Sequence, residues 1–340
     1  YEIGYDMRLR NELVLFLVSA GIGDPGKAGE SLRSPIDEAN LNTQFPELVD
    51  HFLIDSSSSW IKRFTIRGDM RKAGEFAEQM RSQVQERFHG DEASFRLAYA
   101  EFLLWFAQAT MYGQNNQEAY HRYRLIINTV LQDEVVQVEA ELAEPEQKFA
   151  AWRLTMVLGR TYNNLGYLNW MYLGRYQLAI AEFQRARAIF LRADKNDPSI
   201  KEELANASDN LGRVYAQIGK VFQPQRLIRN GLEIREEVGL VYRTALSQIS
   251  LAHALLRLKD YTQGFQAAER AMVIFKRIGA KRGVGLSYLV NGMILRNRAE
   301  NWRERGVPAQ SAFEDIDSAE NYLREAVTIF AGAVTEPIRS

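Results

Sequence analysis

The chain has no cysteine, which excludes disulfides, thiol catalysis and cysteine-ligated zinc. That absence fits a reducing compartment, so a cytoplasmic location is expected. There is no excess of charge of either sign: 42 basic residues face 43 acidic ones, a formal net charge of −1. Binding to nucleic acid or an anionic membrane needs clustered Lys and Arg. The densest basic run, Arg296 to Arg305, is interleaved with Glu300 and Glu304, as on a solvated helix face. Membrane and nucleic acid are therefore disfavoured as partners. Long hydrophobic runs are also missing. Leu13–Ala20 is too short to span a bilayer, and the run from Leu97 to Thr110 carries Glu101 and Gln108. No stretch reads as a signal peptide. The first residue is Tyr1 rather than methionine, from which we expect an excised piece of a longer protein.

Chemistry-bearing constellations are equally scarce. His51, His89, His121 and His253 are scattered, with no second histidine at the three- or four-residue spacing of paired helix-borne metal ligands. The acid pairs Glu202-Glu203 and Glu236-Glu237 are adjacent on helical stretches and so point in different directions, which removes a carboxylate dyad. No nucleophile-elbow pattern occurs. Gly21–Ala28 (GIGDPGKA) is one residue short of a phosphate-binding loop, and Ala28 stands where a Ser/Thr hydroxyl would hold magnesium. Ser34-Pro35 limits any following helix to roughly two turns, too short for the helix whose dipole would face a phosphate. The segment reads as a turn-rich loop. The expectation is a protein that is not an enzyme, with no catalytic residue, cofactor or metal.

What is present is helical periodicity. Residues 1–55 differ from the rest and read as an N-terminal cap or the tail of a preceding domain. Met7–Ala20 is a helix or buried strand, Gly21–Asn42 is loop-like, and Glu47–Ile54 is a short helical pattern. Ser56–Ser59 reads as a polar break able to cap the next helix. From Trp60 the pattern is helical almost without relief, with no alternating window to suggest a strand. Gly68-Asp69 opens one helix, Asp91–Met111 is a strongly apolar one, Ala119 to about Ala143 reads as a long one, and Pro145 suits a first helical turn. The sharpest unit is Thr161–Phe190. Leu154, Leu158, Tyr162, Leu165, Leu168 and Tyr172 form one apolar stripe. Gly174 interrupts, and Ala179, Phe183, Ala186 and Phe190 form a second stripe. Two amphipathic helices joined by a glycine-bearing turn make a hairpin. Gly166 inside the first helix costs about 1 kcal/mol relative to alanine, a cost that close approach of the partner helix would offset.

The hairpin repeats. Gly166, Gly212, Ala252 and Gly292 align in first helices, inside NNLGYLN, DNLGRVY, ISLAHAL and LVNGMIL; Ala186, Gly231, Ala271 and Ala326 align in second helices. The longer last interval places an insertion at 297–312, expected as a protruding loop. These residues resemble the tetratricopeptide repeat (TPR), a two-helix hairpin with small and large residues at set offsets. Leu165-Gly166, Ala179, Phe183 and Ala186 fit the pattern, as do Leu211-Gly212, Tyr215, Ala252, Tyr261 and Ala271. Pro224, Gly264 and Asn291 depart from it, and Gly174 sits one residue late. The period of about 40 residues is longer than the common one of about 34. It is similar to the subclass in sensor arms of bacterial signal-transduction ATPases and regulators and in Leu-Gly-Asn-repeat adaptors.

The resemblance implies an all-α fold, an α-solenoid forming a right-handed superhelix of about six hairpins with a short N-terminal cap. Residues 56–145 would form degenerate hairpins and 146–335 four recognisable repeats. It further implies protein or peptide recognition in a concave groove lined by the first helix of each hairpin, within a larger signalling protein. The residues carried onto that groove are Asn163, Asn164, Tyr167, Trp170, Asn210, Arg213, His253, Arg257 and Arg296. Asparagine amides can pair with both donors and acceptors of an extended backbone, and a Trp–Tyr pair can anchor an apolar side chain. A homo-oligomerisation scaffold using Trp302, or a small-ligand sensor arm, are the alternatives.

Overall fold

The structure, a computed structural model, describes residues 46–66, 69–88, 93–130, 145–193, 196–220, 222–306 and 309–335. The expectations for Met7–Ala20, Gly21–Ala28 and the rest of 1–45 lie outside the described residues. Those residues hold twelve helices and no strand. They divide into two compact units, the division falling inside one helix between Val157 and Leu158. The fold class is all-α, an α-solenoid of helical hairpins.

In the first unit α1 (Pro46–Ile66) packs on α2 (Met70–Glu86) and α3 (Ala93–Tyr112), and α3 pairs with α4 (Asn116–Val130). The polar break expected at Ser56–Ser59 is absent, because α1 runs straight through it. The Ser57 and Ser58 hydroxyls donate to the carbonyls of Leu53 and Ile54, at 2.7 and 2.9 Å. A serine that satisfies its hydroxyl on the preceding turn is tolerated inside a helix even when buried. Asp69 caps α2, its side chain accepting from the Lys72 N–H at 3.2 Å. Ala73, Ala77, Met80 and Val84 turn inward at helical spacing. The helix expected from Ala119 is described as far as Val130. The core is aromatic, with Phe95, Phe102 and Phe106 of α3 buried and Phe88 stacked on Tyr99 at 4.3 Å. The next helix, α5 (Pro145–Met171), starts on the expected proline. Its Arg153 Nη2 bridges Asp55 of α1 at 2.9 Å and Glu101 of α3 at 2.7 Å.

The second unit contains the rest of α5, α6 (Tyr176–Arg192), α7 (Pro198–Gln217), α8 (Phe222–Val238), α9 (Val241–Arg257), α10 (Tyr261–Arg277), α11 (Lys281–Glu304) and α12 (Ala309–Thr335). Neighbouring first helices also touch, α7 with α9 and α9 with α11. The repeated small residue marks each close approach. A Cβ at Gly166 would lie 2.8 Å from the Phe183 ring, at Gly212 2.7 Å from Ile228, and at Gly292 2.7 Å from Leu323. Gly159 is tighter still, at 2.2 Å from Phe190. Gly174, at φ 65°, ends α5 in the left-handed region with open space around it; conformation alone asks for glycine there.

Two departures from the repeat pattern have physical explanations. Gly231 stands where three other second helices carry alanine, because a Cβ would lie 2.5 Å from the buried Asp209 Oδ1. Asn291, fully buried where leucine is the pattern, donates to Glu269 Oε1, which also accepts from the Tyr322 hydroxyl at 3.4 Å. The insertion is not the loop expected. Apart from a short turn it lengthens both helices, α11 running to Glu304 and α12 starting at Ala309. A bidentate pair, Arg298 to Asp315 at 2.7 Å for both bonds, ties the extensions together, and Arg298 also lies 5.0 Å over the Trp302 ring.

Candidate functional site

Each first helix of the second unit presents the same register, so residues about 40 apart in sequence become neighbours. Asn210 Nδ2 of α7 donates to Asn163 Oδ1 of α5 at 3.0 Å. Tyr167 and Trp170, three apart on α5, meet edge to face at 5.9 Å. Both pack one side on a core of Ala179, Ile180, Phe183, Leu211, Val214 and Leu227. The guanidinium of Arg213 lies 4.6 Å over the Trp170 ring.

Beside this cluster is a pocket of about 330 Å³ lined by Trp170, Met171, Tyr176, Arg213, Ala216, Gln217, His253, Ala254 and Arg257. It lies where the C-terminal turns of α5, α7 and α9 come together with the start of α6. Burial, Arg213 and Arg257 together push the His253 imidazole down to about 4, so the ring is neutral near pH 7. Burial also pulls the Arg213 guanidinium below its ordinary value, with Tyr167 and Asp209 acting the other way; arginine still stays protonated.

Among the described residues neither Arg213 nor Arg257 has a carboxylate within ion-pair distance. Asp209, a groove position by its register, turns inward instead. It is buried between α7, α8 and α9, where Arg235 Nη1 donates to its Oδ2 at 2.5 Å and Ser247 Oγ donates to the same oxygen at 2.8 Å. Arg235 Nη2 also donates to Asn206 Oδ1 at 2.6 Å. Burial pushes the Asp209 carboxyl up, and the Arg235 charge and both hydrogen bonds pull it back. One oxygen of this buried ion pair is left without a partner.

Of the nine groove residues, the structure joins Asn163 to Asn210 and gathers Tyr167, Trp170, Arg213, His253 and Arg257 in and around one pocket. Asn164 is half-buried on α5 and does not line it. Arg296 is elsewhere. It lines a second concavity of about 790 Å³ formed by α11 and α12, and its Nε donates to Glu300 at 3.1 Å. Sequence reasoning missed Tyr176, which enters from the second helix of its hairpin. The register rule covers first helices only; the sole signal was its place just after the Gly174 turn. Among the described residues no group of three metal-binding side chains occurs, and no helix is long and apolar enough to cross a membrane.

No family model and no curated protein matches the chain. Solved structures do. A signal transduction ATPase with numerous domains carrying a tetratricopeptide repeat sensor, from Pyrococcus horikoshii, superposes with a TM-score of 0.52 at 14% identity, over 94% of this chain and 52% of that one. BtubC from P. vanneervenii gives 0.47 at 17% identity, over 82% and 96% of the two chains. Nearly identical TPR-like repeats from Podosopora anserina give 0.47 at 17%, over 66% and 95%.

Proposed function

With the fold of tetratricopeptide-repeat proteins as the premise, we propose that this chain is a non-enzymatic recognition module that binds an extended segment of a partner protein. The site is the face shared by α5, α7 and α9, and the chain serves as the interaction arm of a larger cytoplasmic signalling protein. The carrying observation is the pocket between these three helices, where Trp170, Arg213, His253 and Arg257 converge beside the Asn163–Asn210 pair. A half-buried aromatic with an arginine over its face is the kind of residue that dominates interface energetics. The neighbouring amides supply donors and acceptors for a peptide backbone.

The test is titration of the full chain with peptides recovered from a random-peptide display. Replacing Trp170→Ala together with Asn210→Ala weakens binding by at least about tenfold, the loss of one interface anchor, with helical circular dichroism unchanged. Equal affinity for wild type and double variant would remove the groove from consideration. A second reading, self-association, draws on Phe313 and Val327 of α12, which are 62% and 68% exposed. Trp302 suits it less, being half-buried under Arg298. Sedimentation velocity that shows one concentration-independent monomer removes that reading.

A further inference from the structure

The pocket between α5, α7 and α9 carries two arginines that no carboxylate reaches within ion-pair distance among the described residues. Its lining holds two guanidiniums and no Asp or Glu. The carboxylates nearest in sequence to the two arginines are engaged elsewhere: Asp209 by Arg235 and Ser247, and Asp260 by the Gln263 N–H at 3.2 Å and the Gln263 side-chain amide at 2.7 Å. The other concavity makes the contrast. It also carries three arginines, but Arg296 is paired with Glu300 at 3.1 Å and Arg324 with Glu320 at 2.5 Å. Arginine content alone therefore does not single out the first pocket; the lack of counter-charge does.

Helix C-termini border the pocket, and their carbonyls carry partial negative charge. Those carbonyls are already taken: Leu173 N–H donates to Leu168 O, Lys220 N–H to Tyr215 O, and Asp260 N–H to Leu255 O, at 3.2, 2.9 and 2.9 Å. Capped ends are a weak local pull beside two whole guanidinium charges. Arg213 is also held in place, laid over the Trp170 ring, so little side-chain freedom is lost when it meets an anion. Trp170, Met171, Ala216 and Ala254 add apolar wall beside Tyr176 and Gln217, and the volume of about 330 Å³ is far more than a bare anion needs. It suits a group with a methylene stem.

We propose that this pocket is the specificity anchor of the groove and takes one acidic side chain, an aspartate or glutamate, of the bound peptide. The carboxylate meets Arg213 and Arg257, the neutral His253 ring donates one N–H, and the stem lies along Trp170. This deepens the groove reading above and depends on it.

The experiment uses the full chain and a phage library of random dodecapeptides displayed at the coat protein N-terminus, which gives no free terminal carboxylate. The enriched peptides share Asp or Glu at one position. In the synthetic, C-terminally amidated peptide, exchanging that residue for Asn or Gln weakens binding to wild type by about tenfold. The same exchange costs Arg257→Gln clearly less, about threefold, since one of the two guanidiniums is gone while Arg213 remains. Arg257 is exposed, so this variant tests the pocket without disturbing the fold. Enriched peptides with no acidic position, or an exchange that costs the same in both proteins, overturn the anchor while the Trp170-dependent groove stands. Tight binding that appears only when the amide is replaced by a free terminal carboxylate overturns it too, and assigns the pocket to chain ends. Failure to enrich any peptide whose binding depends on Trp170 removes the groove reading itself.

Discussion

The two units build the same kind of element, antiparallel helices in sequence, by opposite packing strategies. In the first unit large rings and fully buried alanines such as Ala73, Ala98, Ala107 and Ala119 make the contacts. Phe95, Phe102 and Phe106 fill the space along α3, and the one glycine in the interior of α2, Gly74, has nothing within 4 Å of where a Cβ would be. In the second unit the helices approach until glycine is the residue that fits, at Gly159, Gly166, Gly212 and Gly292. Among the described residues the most buried ion pair lies in the second unit. Arg153 of the first unit reaches its two carboxylates with its side chain 21% exposed, whereas Arg235 of the second is 4% exposed. Bulk tolerates variation, because many apolar side chains of similar volume fill a gap about equally well. Close approach does not. That is why a repeat signature is plain in one unit and faint in the other.

The comparison can be broken most forcefully at Arg235. Arg235→Ala leaves Asp209 buried without its cation, and breaking such a pair costs about 3–5 kcal/mol. Urea unfolding of the variant is expected to shift accordingly; a shift under about 1 kcal/mol would mean the buried pair contributes no more than a surface one. Next in size is acid. His253 folds with its proton affinity lowered to about 4, against about 6.5 when unfolded. Its contribution is therefore full above about pH 6.5 and is lost as pH falls towards 4, because the unfolded state takes up the proton first. The expected loss reaches about 3 kcal/mol. His253→Gln should lack this component, so the stability gap between wild type and variant should drift in the variant's favour between pH 7 and 4.5. A constant gap over that range would contradict the assignment.

Glycine exchange gives smaller effects of opposite sign. Gly166→Ala puts a methyl 2.8 Å from the buried Phe183 ring, an overpacking cost of about 1–3 kcal/mol only partly offset by about 1 kcal/mol of helix propensity. A net loss in thermal stability is expected, larger for Gly159→Ala, whose contact is tighter. Gly74→Ala, in open space, should gain roughly 0.5–1 kcal/mol. If both glycines respond alike, the two units do not differ in how closely their helices approach.

Much of the second unit was legible in the sequence because its constraint is local. A small residue at a fixed place in every first helix announces a close contact; in the first unit Pro145 and Asp69 likewise announce helix starts through the backbone groups they satisfy or lack. The misreadings also have local causes. The serines at 56–59 suggested a cap, since nothing in sequence says that a hydroxyl will bond the preceding turn and stay in the helix. The insertion at 297–312 contains Gly306 and Pro308 and suggested a loop, whereas the Arg298–Asp315 pair is a tertiary contact that lets both helices extend. For the site, register placed Trp170, Arg213, His253 and Arg257 on one face but set Arg296 with them, although it lines a different concavity.

By itself the sequence determined the helical class and the hairpin repeat, because periodicity and small-residue spacing are properties of a single chain segment. Only the tertiary structure decided which charges are spent. Asp209 and Arg213 are four residues apart on the same helix, yet one is turned into the core against Arg235 and Ser247 and the other lies over Trp170 with no carboxylate in ion-pair distance among the described residues. That difference depends on neighbours from α5, α8 and α9, brought together by packing. Composition reports a net charge of −1 for the whole chain, whereas the local balance of charge that attracts a ligand exists only once the helices are in place.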